Sequence, residues 1–148
     1  MIRKKKGDLS IVYRERAFTL ESKSLQSAMV KWDDQNNCWQ GRVQVDASDR
    51  RNVQLPDGSN LTTTLLLRVE FDILAVNCYA FNKEWQFAFA RNKDLPYSNY
   101  RGYTEEQRKW LIASLIPITW PPVPPFYDDL KELLNVMVED EETGGLAT

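Results

Sequence analysis

Residues 71–81, Phe-Asp-Ile-Leu-Ala-Val-Asn-Cys-Tyr-Ala-Phe, limit the folds open to this chain more than any other stretch. An apolar run this short, and this rich in β-formers, suits a strand covered on both faces. Asn82-Lys83-Glu84 supplies a turn, and residues 85–90, Trp-Gln-Phe-Ala-Phe-Ala, return as the partner strand. These two strands are the predicted centre of a sheet. Their aromatics are assigned to its core rather than to a base-stacking surface.

A second sheet signal lies at the start. Residues 9–13 are β-formers, Arg14-Glu15-Arg16 is a charged connection, and residues 17–24 alternate apolar and polar. Alternation puts Thr19, Glu21 and Lys23 on one face of the second strand, with Phe18 and Leu20 on the other. Hairpin pairing then brings Asp8, at the start of the first strand, beside Glu21, near the end of the second. Two close carboxylates repel, and a divalent cation that prefers oxygen ligands relieves the repulsion. A neighbouring lysine can orient a water or stabilise charge on a phosphate oxygen. The alternative is an exposed strand face carrying an ordinary Glu/Lys pair.

Composition narrows the chemistry. The chain has no histidine, which excludes Ser-His-Asp and Cys-His hydrolases and His-based zinc sites. Cys38 and Cys78 are too few and too scattered for a disulfide framework or a Cys-rich zinc site. The basic start, Met1-Ile2-Arg3-Lys4-Lys5-Lys6, does not lead into an apolar signal-peptide region, and no apolar run is long enough to span a membrane, so a cytoplasmic location is expected. The net charge is −2, yet seven acids and one lysine fall from Asp128 onward, leaving a net of +4 in the first 127 residues. A basic body with an acidic tail is compatible with nucleic-acid binding, and equally with a solvated surface and a frayed acidic end.

Between these landmarks, residues 39–46 alternate as a strand. Residues 53–55 and 61–64 form a second hairpin around Pro56-Asp57-Gly58-Ser59-Asn60. Residues 97–103 are a loop with three tyrosines and Arg101, suited either to nucleic-acid contacts or to packing on the surface. Thr104-Glu105-Glu106-Gln107 is a capping box that predicts a helix to about Ile116, stopped by Pro117. Residues 118–126 are expected to be extended polyproline. A last helix is expected over residues 128–138, with Leu130, Leu133, Leu134 and Met137 as its apolar stripe. The division is one domain over residues 1–138 and a disordered acidic tail over 139–148.

The placement of Asp8 and of Glu21-Ser22-Lys23 resembles the signature of the PD-(D/E)XK nuclease superfamily, with Gly7 where proline is usual. Residues 39–51, 55–58, 71–77, 94–96 and 119–121 are also similar to an uncharacterised restriction-endonuclease-like family. The resemblance implies an α/β fold, with a restriction-endonuclease-like mixed central β-sheet and flanking helices. Only six residues precede Gly7, so the usual first core helix is not expected within this sequence, whether because the chain is a fragment, a partner covers that face or the core is degenerate. It further implies an Mg²⁺- (or Mn²⁺-) dependent DNA endonuclease. Asp8, Glu21 and the Ser22 carbonyl would hold the metal, Lys23 would position the attacking water, and Arg42, Arg50, Arg51 and Arg101 would contact nucleic acid. The alternative is an inactive nuclease-fold module that binds DNA or a protein partner. A homodimer, or a partner chain covering the place of the first helix, is compatible with both.

Overall fold

The computed structural model describes residues 7–147, with side chains to residue 143; the basic start at residues 1–6 lies outside the described residues. The main sheet has five strands, in the order β1 (Leu9–Tyr13), β2 (Arg16–Ser24), β7 (Ile73–Asn77), β8 (Phe87–Arg91) and β10 (Phe126–Tyr127). All neighbours are antiparallel except β2 and β7, so the sheet is mixed. As the apolar run predicts, β7 sits in the middle, with Ile73, Leu74, Ala75 and Val76 all buried.

The chain between β2 and β7 builds the second layer. It contains β3 (Val30–Asp33), β4 (Cys38–Gln44), β5 (Arg51–Gln54) and β6 (Asn60–Thr63). β3 and β4 join β9 (Leu115–Trp120) in an antiparallel three-stranded sheet, while β5 and β6 form a separate hairpin. Its tip uses Gly58 at φ +92°, where an added Cβ would meet nothing within 4 Å. Gly58→Ala should therefore cost about 1 kcal/mol through backbone conformation alone, lowering the melting temperature by about 3 °C in a thermal scan.

The faces of the main sheet are covered differently, and of the expected flanking helices a long one lies on one face alone among the described residues. One face packs on α3 (Leu130–Ala147), where Leu133, Leu134, Met137 and Val138 meet Phe18, Leu20, Ile73 and Ala75. The other face packs on the second layer, where Leu74, Val76, Ala88 and Ala90 meet Val43, Ile116 and Ile118. The remaining α-helices, α1 (Tyr79–Asn82) and α2 (Glu105–Arg108), are single turns.

Three further expectations change. The capping box forms in full, with Thr104 and Gln107 each accepting the other's backbone N–H, yet its helix ends at Arg108. Residues 115–120, expected to straddle a helix end and a polyproline strap, instead form β9. Pro117 lies opposite Arg42 there, and the strand's place at the sheet edge tolerates its missing N–H. The last helix keeps its backbone helical to Ala147 instead of fraying after Val138. Arg16 pairs with Glu141 and Arg91 with Asp140, clipping the acidic turn to the sheet, and the Arg91 hydrogen bond holds the Asp140 carboxyl below its usual range. Among the described residues, no helix is long and apolar enough to cross a membrane.

Candidate metal and phosphate site

The hairpin register decides whether the two acids meet. Arg14 and Glu15 both take positive φ, 48° and 66°, forming a tight two-residue turn that closes on the Tyr13–Arg16 pair. The ladder ends with Leu9 opposite Leu20, and Asp8, one residue before it, lies near enough for its carboxylate to act on Glu21. The Asp8 N–H donates to the Leu20 carbonyl at 2.7 Å, and the Ser22 N–H donates to Asp8 Oδ2 at 2.8 Å. Asp8 thus caps the ladder where β1 begins. Gly7 fits tightly here: a Cβ would lie 3.0 Å from the Leu20 carbonyl oxygen.

Because Phe18 and Leu20 face α3, Glu21 and Lys23 face the second layer. Lys23 Nζ lies 3.8 Å from Glu21 Oε2 and donates to the Asp46 carbonyl, just past β4, at 3.0 Å. Both side chains are mostly sheltered, Glu21 16 % exposed and Lys23 21 %. Burial raises the Glu21 pKa, and the Asp8 carboxylate raises it further; Lys23 works in the opposite direction. A buried acid beside a second acid is the electrostatic condition that an added cation relieves.

Sequence reading missed a second charged pair at this site. Arg51 makes a bidentate contact with Glu70, at 2.9 and 2.5 Å, and also donates to the Leu65 carbonyl. Glu70 and Arg51 both act on the Glu21 carboxyl, the first raising and the second lowering its pKa. No local pattern links these residues, because Glu70 lies in the loop after β6 and meets Arg51 only through tertiary packing. Arg51 is therefore a supporting residue behind Glu21, already bound to a carboxylate, rather than a free contact for phosphate. Arg42 and Arg50 are exposed. Arg101 is also exposed, in the tyrosine loop where Tyr100 and Tyr103 pack edge to face.

The donors suit a hard cation. Mg²⁺ is commonly held by one or two carboxylates together with waters, and Asp8, Glu21 and the Ser22 carbonyl are oxygen donors of that kind. Among the described residues, no group of three or more His, Cys, Asp or Glu is gathered for metal binding. Comparison with protein-family models, with curated proteins and with solved structures finds no match to this chain.

Proposed function

We propose that this chain is a divalent-metal-dependent endonuclease that hydrolyses DNA phosphodiester bonds, in the manner of the PD-(D/E)XK nucleases its hairpin resembles. The observation that supports this most is the Asp8 carboxylate acting on Glu21 at the end of the hairpin ladder, with Lys23 Nζ 3.8 Å from Glu21 on the same face. Asp8, Glu21 and the Ser22 carbonyl would hold the cation, which when bound would supply Lewis-acid stabilisation of the phosphate oxygens. Lys23 Nζ, fixed by the Asp46 carbonyl, donates toward the attacking water or the developing negative charge. Arg42, Arg50 and Arg101 serve as phosphate contacts on the nucleic acid.

A second reading is a nuclease-fold module without catalysis. It is favoured by the structural uses already found for these groups: Asp8 caps the Ser22 N–H, and Lys23 binds a backbone carbonyl. Plasmid nicking with Mg²⁺ separates the two readings. Catalysis predicts measurable nicking that Lys23→Ala lowers by roughly 100-fold or more. Equal nicking by both proteins removes Lys23 from the mechanism. Duplex binding in EDTA, with no nicking under any metal, selects the module.

A further inference from the structure

Among the described residues, no strand pairs with the outer edge of β1. Its sequence, Leu-Ser-Ile-Val-Tyr, has no charge and no proline, the devices by which edge strands usually block pairing. Leu9 is 60 % exposed and Val12 75 % exposed. We propose that this edge pairs with the same strand of a second copy, joining the two main sheets into one continuous antiparallel sheet.

Hydrogen-bond parity selects the register. The tight turn makes Tyr13–Arg16 the inward-bonded closing pair, so Ile11 and Leu9 also bond inward, and Ser10 and Val12 present N–H and C=O outward. Two-fold pairing centred on Ile11 sets Ser10 against Val12 of the second copy, and the reverse, giving about four new backbone hydrogen bonds. The same register sets Leu9 against the other copy's Tyr13, on the face shared with α3. Just beyond the paired residues, Asp8 and the other copy's Arg14 come to the same end of the seam, so its ends are oppositely charged. Arg14 is exposed at the hairpin tip, its guanidinium 5.5 Å from its own Tyr13 ring. Registers shifted by two residues in either direction keep the parity but lose this charge match and leave one strand end unpaired.

The proposal goes beyond the hydrolytic reading and stands without it. Its consequence for the candidate site is that a positive charge, Arg14 of the second copy, is brought to the end of the seam where Asp8 lies. The two sites then face the same side of one sheet, their Asp8 residues offset by six strand positions, about 20 Å.

Analytical ultracentrifugation in EDTA, from about 1 to 100 μM, tests the dimer apart from any metal or DNA chemistry. A concentration-dependent dimer is expected, and Val12→Lys, at a largely exposed position, should abolish it while leaving the thermal melt unchanged at concentrations where the parent is monomeric. Register is read by cysteine crosslinking in a Cys38→Ser background. Ile11→Cys places the two sulfurs across a non-hydrogen-bonded pair about 4.5 Å apart at Cα, within disulfide range. Leu9→Cys separates them by about 13 Å. Oxidation should link the first variant and not the second. A monomer throughout the concentration range, a dimer that Val12→Lys leaves intact, or crosslinking at Leu9→Cys in preference to Ile11→Cys would each overturn the proposal.

Discussion

Glu21→Gln should remove divalent-metal binding and lower DNA nicking by at least roughly 100-fold, while making the protein harder to unfold at neutral pH. The opposed effects share one cause. Burial, with Asp8 beside it, raises the Glu21 pKa in the folded state above its unfolded value. An acid shifted upward contributes stability that is fully present below the unfolded pKa and is lost as pH rises through the folded one. At pH 7 the ionised Glu21 therefore works against the fold, and the neutral glutamine removes that cost. The stability difference between variant and parent should be largest at neutral pH and shrink toward pH 4. Metal binding by the parent should weaken over the same acidic range, since protons and cation compete for one carboxylate. Urea titrations at pH 4, 5.5 and 7, with Mn²⁺ titration by calorimetry, measure both arms. A Glu21→Gln protein less stable than the parent at pH 7 would show that the carboxylate is held by favourable contacts rather than strained by its surroundings.

Leu133→Ala should be the most damaging single core substitution in the helix layer, at about 2–5 kcal/mol. Leu133 is fully buried, and its cluster includes Phe18 and Leu20, the alternate residues of the strand that carries Glu21 and Lys23. Truncation leaves a cavity directly behind the candidate site. Against a total stability of about 5–15 kcal/mol, the loss is a large fraction, and a fall of about 10 °C in melting temperature is expected. Urea unfolding should show a lower midpoint at an unchanged slope. A loss under about 1 kcal/mol would mean that α3 contributes little to holding β2.

The hairpin and the central strand were legible because their information is local. Alternation at residues 17–24 fixed which face Glu21 and Lys23 share, and the apolar run at residues 71–81 marked β7 as buried on both sides. The stretch from Lys109 to Trp120 departs from its expected course for the opposite reason. A complete capping box promised a long helix, but one helical turn is all it starts, and the partner that makes residues 115–120 a strand is β4, more than 70 positions earlier. Local propensity cannot report such a neighbour. The aromatics of the return strand were only partly read correctly. Ala88 and Ala90 are buried and Phe89 packs on the helix side, but Trp85 is 77 % exposed and stacks on exposed Tyr79 at 4.8 Å. In the candidate site, the Asp8–Glu21 proximity followed from the register, whereas the Arg51–Glu70 pair left no trace in spacing or composition.

The parallel contact between β2 and β7 joins Leu20 to Ile73, and the intervening chain forms the layer into which Glu21 and Lys23 point. The β1–β2 hairpin can close on its own in microseconds, but the layer facing Glu21 and Lys23 must wait for a long, entropically costly loop to return. Refolding should accordingly take milliseconds to seconds, with the surroundings of Glu21 and Lys23 forming well after the hairpin that supplies those charges.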